Sequence, residues 1–212
     1  MSTSGTDVFA SPSPAWDLTH RSFGELPFLI RTVRQQDLQR LTDVLAASFH
    51  HRDGLMGWLY PLFRMGIYED LRSRLQKKMP HHACLVAIAA ASANRSPMPT
   101  QAVNNLAGTI EISLRSQHLW QPHHSRHLYL SNLAVQSDYR RQGVAQQLLK
   151  TCERIALEWG HQDLYLHVLE NNYKARRLYM KAGYRLQRID STMSSMVLGQ
   201  PRQLFLHKRL QG

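Results

Sequence analysis

Six consecutive residues, Arg140-Arg141-Gln142-Gly143-Val144-Ala145, have the types and the setting of an anion site. A strand-like run, Leu128 to Val135, leads into them. An apolar stripe at helical spacing leaves them: Ala145, Leu148, Leu149, Cys152, Ile155, Ala156 and Trp159. The first N–H groups of a helix have no intrahelical acceptor and carry the positive end of its dipole, so they donate to an anion. Gly143 lets the backbone come close, the small Ala145 leaves room, and the neighbouring arginines point to phosphate. No Gly-Lys-Ser/Thr follows, which excludes a P-loop, and the GxGxxG of a dinucleotide fold is absent. His118, His123, His124 and His127 lack carboxylate or cysteine partners, so no metal site is expected. Cys84 and Cys152 lie far apart outside any CxxC pattern and read as small core residues in a reducing compartment.

These residues need a frame, and the apolar periodicity supplies one. Residues 1–27 are rich in Ser, Thr and Pro and read as a flexible arm that packs at most through Trp16 and Phe23. Phe28 to Val33 is the first strand. Gln35 to Phe49 is a helix, with Leu38, Leu41, Val44 and Leu45 on one face and Asp37 placed near its start to suit the dipole. His50 to Pro61 is irregular but unusually bulky. A second helix follows, with Ile67, Leu71 and Leu75 aligned and Pro80 beyond its end. Further strands are expected at Ala83–Ala91, Leu106–Leu114, Leu128–Val135, Asp163–Leu169, from Tyr184, and at Gln203–Leu210. Asn172 to Lys181 is a short helix with Ala175, Leu178, Tyr179 and Ala182 inward, and Gly160 caps the helix before it. Loops fill 94–105, 117–125 and 189–201. The simplest organisation is one mixed α/β domain over residues 28–212.

The stretch from Leu128 to Tyr184 resembles the GCN5-related N-acetyltransferase (GNAT) superfamily. Its Arg/Gln-x-x-Gly-x-Gly/Ala signature is met by Arg140, Gly143 and Ala145. The strand Asn132-Leu133-Ala134-Val135 and the later Asn172-x-x-Ala175-x-x-Leu178-Tyr179-x-x-x-Gly183-Tyr184 match in order and spacing. Tyr68-Glu69-Asp70-Leu71-Arg72 is similar to cyanobacterial and plastid members.

The resemblance implies a mixed central sheet of about six to seven strands with flanking helices, splayed at the central strands. It implies acetyl-CoA as co-substrate and no metal. Leu133, Ala134 and Val135 would pair with the pantetheine arm. Arg140, Arg141, Gln142, Gly143, Val144 and Ala145 would wrap the pyrophosphate, with Asn172, Ala175 and Tyr179 also at the cofactor. Lys174, Arg176 and Arg177 either hold CoA phosphates or form a solvated face. The reaction would be direct attack of an amine on the thioester, with the Val135 N–H facing the developing oxyanion. Tyr179 matches the family's general acid, since a phenol of ordinary pKa about 10 is protonated at neutral pH. For the base there are two candidates. His167 lies in the strand before Asn172, and Glu111 lies in the strand before the central one.

The expected acceptor is a primary amine of a protein, an N-terminal α-amine or a lysine. A small amine of arylalkylamine or polyamine type is the alternative, and a non-catalytic acyl-CoA sensor is the alternative of another class. The formal net charge of +11 favours acidic partners and disfavours cationic polyamines. The arginines are scattered and no nucleic-acid motif occurs, so nucleic acid is not an expected partner, while docking on ribosomes is allowed. No apolar run approaches the roughly 20 residues of a membrane helix, and the N-terminus lacks a secretory pattern. The expected location is the cytoplasm, as a monomer or homodimer.

Overall fold

The computed structural model describes residues 28–49, 60–76, 79–89, 105–116, 126–190 and 201–211. Expectations placed on the arm 1–27, the bulky segment 50–59, His118, His123, His124 and the loop Met193–Leu198 lie outside the described residues. The chain order is β1 (Phe28–Thr32), α1 (Leu38–Phe49), α2 (Tyr60–Gln76), β2 (His82–Ala89), β3 (Leu106–Ser116), β4 (Arg126–Val135), α3 (Val144–Glu158), β5 (Asp163–Leu169), α4 (Tyr173–Lys181), β6 (Arg185–Asp190) and β7 (Gln203–Arg209). The seven strands form one sheet in the order β1-β2-β3-β4-β5-β7-β6. Every neighbouring pair is antiparallel except β4–β5, which is parallel. A parallel pair needs a crossover, and α3 is that crossover.

Alternation along the strands divides the core between the two faces of the sheet. On β2, Leu85 and Ala87 face α3, whose Leu148, Leu149, Cys152, Ile155 and Ala156 are buried against Ile110, Ile112, Leu128 and Leu164. Cys84 and Val86 face the other way, against Leu38, Leu41, Val44 and Leu45 of α1 and Leu71 of α2. Both cysteines are free and buried, and burial pushes the Cys84 thiol up to about 12.

Local chemistry sets the ends of the helices. Asp37 does more than meet a helix dipole. It is buried, accepts from Nη1 and Nη2 of Arg31 at 2.6 and 2.9 Å, and accepts the Arg34 N–H at 2.7 Å. Helix α2 already includes Tyr60 and Pro61, where an irregular segment was expected. A proline is tolerated in a first turn because its missing N–H would have had no partner there. Helices α3 and α4 both end in a left-handed glycine, Gly160 (φ 78) and Gly183 (φ 91). In each case the last amides fold back in a Schellman pattern: His161 N–H to Ala156 O, and Tyr184 N–H to Tyr179 O. Tyr184, expected to open a strand, instead packs edge-on against Tyr179, 5.9 Å between centroids. Strand β6 therefore starts at Arg185, and its pairing with β7 carries it to Asp190, where a loop was expected from Ile189.

Candidate active site

The parallel pair at the centre of the sheet is short. Strands β4 and β5 are in register only at Leu128–Leu164 and Tyr129–Tyr165. Beyond those two rungs no ladder joins them, and each stays paired on its outer edge: β4 with β3 through Val135, β5 with β7 over its whole length. The inner edges of Leu130–Val135 and Leu166–Leu169 thus face a gap. Part of the cause lies in β4. The β3–β4 register steps from Thr109–Ala134 to Glu111–Ser131, so Asn132 and Leu133 together oppose Ile110. This is a β-bulge, and Asn132 sits in it with left-handed backbone, φ 55. Behind it sits Gly108. A Cβ there would lie 2.8 Å from the Ala134 carbonyl oxygen and 3.0 Å from Cγ1 of Val144, so only glycine allows β3 this close.

The basic turn follows directly. After a 3-10 turn at Ser137–Tyr139, Arg140 folds back and donates from Nε to the Val135 carbonyl at 3.1 Å. Gln142 donates to the Asp138 carbonyl at 2.8 Å. Arg141 (φ 68) and Gly143 (φ 85) turn the chain into α3. Gly143 is the N-cap and offers no side chain to accept from the helix start, so the N–H groups of Val144, Ala145 and Gln146 are left uncapped by any side chain. A Cβ at position 143 would meet nothing within 4 Å, so the turn is open on that side of Gly143. The strand end Leu133, Ala134 and Val135 leads through the 3-10 turn Ser137–Tyr139 into the turn that opens α3. Asn172 is used differently: its Oδ1 caps α4 by accepting the Ala175 N–H at 3.1 Å, and Ala175 packs toward the core. Arg176 is engaged with the Glu170 carbonyl at 2.8 Å.

Tyr179 sits on the buried side of α4, and burial, reinforced by Tyr129, pushes its hydroxyl well above the ordinary phenol range. It is a held proton. His167 lies on the opposite face of β5. Its Nδ1 is 2.8 Å from the Tyr129 hydroxyl and its Nε2 is 2.8 Å from Oδ2 of Asp190. A carboxylate accepts only, so in the neutral ring Nε2 is the nitrogen that carries the proton, Nδ1 accepts, and Tyr129 donates to it. Burial raises the Tyr129 pKa, Arg115 lowers it, and Asp190 raises it, the balance being upward, so Tyr129 keeps its proton at neutral pH. The Arg115 guanidinium lies 4.0 Å from the Tyr129 ring centroid.

Glu111 belongs to another network. It is 1% exposed, its Oε1 accepts from Arg74 at 2.7 Å and contacts His82 Nε2 at 2.9 Å, and its Oε2 accepts from Asn132 at 2.7 Å. Burial alone would raise its pKa, but His82 and Arg74 overcome this and hold it at about 2. A carboxylate so stabilised is a poor proton acceptor at neutral pH, which corrects the reading of Glu111 as a base. Tyr129 and Asp190 were not singled out in the sequence. The available signal was alternation alone: Tyr129 and His167 are both even-numbered steps from the rung Tyr129–Tyr165, hence on one face.

Comparison with known proteins adds the family. The profile of the acetyltransferase (GNAT) family matches residues 53–184. GCN5-related N-acetyltransferase 10, chloroplastic, of Arabidopsis thaliana is 28% identical over 180 residues, covering 82% of this chain and 68% of that protein. Two further chloroplastic members of that plant match over stretches spanning 28% and 58% of their own lengths. These names overturn the cytoplasmic placement expected from the sequence. Among solved structures, Arabidopsis thaliana NAA60 in complex with acetyl-CoA superposes with a TM-score of 0.60 at 17% identity, covering 87% of this chain and 99% of that one. The ribosomal-protein-alanine N-acetyltransferase of Brucella melitensis gives 0.59 at 18%, covering 86% and 99%. The parted central strands and the uncapped turn at α3 thus sit in a fold shared with acetyltransferases, and with the profile covering more than half of its length the chain belongs to the acetyltransferase (GNAT) family.

Proposed function

We propose that this enzyme uses acetyl-CoA to acetylate a primary amine of a protein, an N-terminal α-amine or a lysine, by direct attack with both substrates bound. The observation that carries the reading is the hydrogen-bonded chain Tyr129–His167–Asp190 beside the parted strands, with the protonated Tyr179 on the opposite face. Acetyl-CoA supplies the activated acetyl thioester, and the chain's residues fit it. The uncapped amides of Val144, Ala145 and Gln146 and the open space at Gly143 suit a pyrophosphate. The free inner edge of Leu133, Ala134 and Val135 suits an amide-bearing arm. Arg140, Arg141 and Gln142 line the same turn.

In this reading His167 is the base. Asp190 orients the ring, and the amine proton passes to Nδ1 through the Tyr129 hydroxyl, which gives up one proton to the ring as it takes another from the amine. Tyr179 delivers its proton to the departing sulfur. A protein acceptor is supported by the name of the Brucella melitensis neighbour and by the few acidic residues available to attract a polyamine. The chloroplastic names of its relatives support work in a plastid-type compartment. Residues 28–212 are read as one catalytic domain.

Thiol release from acetyl-CoA over a panel of acceptors tests this: peptides with free N-termini, N-blocked peptides with internal lysines, serotonin-like amines and spermidine. Activity on peptides, lowered about 100-fold or more in kcat by Tyr179→Phe, is expected. Turnover confined to the small amines would overturn the protein-acceptor reading. Acetyl-CoA binding with no turnover on any acceptor would favour a sensor.

A further inference from the structure

Among the described residues, three non-glycine positions have positive φ: His81, Asn132 and Arg141. Asn132 is the one inside a strand, at the bulge within the stretch of β4 whose inner edge faces the gap. A bulge competes with regular pairing, and slipping β4 by one residue would turn Leu133, Ala134 and Val135 to opposite faces. Something must hold the extra residue in place, and the side chain of Asn132 does so through Glu111. The carboxylate is itself fixed. Arg74 of α2 and His82 of β2 bind its Oε1, and Asp70 holds the other end of the Arg74 guanidinium at 2.9 Å. Leu71 and Cys84, neighbours of these anchors, are buried in the same apolar cluster as Ala134. The bulge is thus tied to two packed elements by one bond, the 2.7 Å donation from Asn132 Nδ2 to Glu111 Oε2. Its effect travels further along the chain, since Arg140 fastens the basic turn to the Val135 carbonyl.

We infer that Asn132 and Glu111 are positioning residues for acetyl-CoA: their bond locks the β4 bulge and so fixes the edge and the turn that receive the cofactor. This rests on the acetyl-CoA reading above. Glu111 acts through Asn132 and has no part in proton transfer.

Two substitutions separate the bond from the backbone. Asn132→Gly keeps the left-handed conformation and removes the tether. Asn132→Asp keeps the size and tolerance of that conformation but sets an acceptor against an acceptor. On the full chain, acetyl-CoA binding is measured by calorimetry, and KM for acetyl-CoA and for a peptide acceptor by steady-state kinetics. Both variants are expected to weaken acetyl-CoA binding about tenfold or more, with its KM rising in step and the acceptor KM within about twofold. Wild-type affinity in both variants would overturn the inference. So would an equal rise in the two KM values, which is the mark of general loosening. A wild-type chain that binds no acetyl-CoA would overturn the cofactor reading, and this inference with it.

Discussion

Glu111 shows how an environment decides what a carboxylate can do. Its pKa falls from 4.5 to about 2 because His82 and Arg74 outweigh burial. A depressed pKa in the folded state gives stability that is complete above about pH 4.5 and is lost as pH drops toward 2. Glu111→Gln is therefore expected to cost about 3 kcal/mol at neutral pH and to flatten the loss of stability between pH 4.5 and 2, read by urea unfolding at several pH values. Tyr129→Phe removes the donor to His167 while leaving the ring under Arg115, and should lower kcat about 10- to 100-fold with acetyl-CoA affinity unchanged. Tyr179 was legible in the sequence through its motif. The Tyr129–His167–Asp190 chain was not, since it joins residues 38 and 23 positions apart whose meeting depends on strand order.

Elements with a strong period were legible for the same reason that they fold: a helical stripe or a strand alternation specifies its own buried face. The stripe from Leu148 to Ala156 and the glycine stop at Gly160 needed no knowledge of a partner. The bulge at Asn132 did, because a register is a relation between two strands. Gly108 and Gly183 test the two cases. Gly108→Ala forces a methyl to within 2.8 Å of a backbone oxygen, so Ala134 must move. A loss of about 1–3 kcal/mol in thermal or urea unfolding and a raised KM for acetyl-CoA are expected together. At Gly183 the nearest atom to an added Cβ is Cε of Lys208 at 3.5 Å, an ordinary contact. Gly183→Ala should therefore cost only its positive φ, about 1–2 kcal/mol, with the acetyl-CoA KM unchanged.

At the scale of the whole molecule, charge and topology act together. The formal charge of +11 surrounds a turn that already offers backbone donors. An anionic cofactor drawn in by that field should show a KM that rises several-fold between about 50 and 500 mM salt, while kcat, which the proposed mechanism assigns to Tyr179 and His167, changes little. The parted strands carry a different consequence. A sheet normally has two edges, but among the described residues this one has four, because the inner sides of Leu130–Val135 and Leu166–Leu169 lack ladder partners there. Unpaired strand edges are templates onto which any extended chain can add itself. Those inner sides are the kind of surface through which β-proteins aggregate, and acetyl-CoA seated there as proposed above would, as a surrogate strand, also guard the enzyme against self-association.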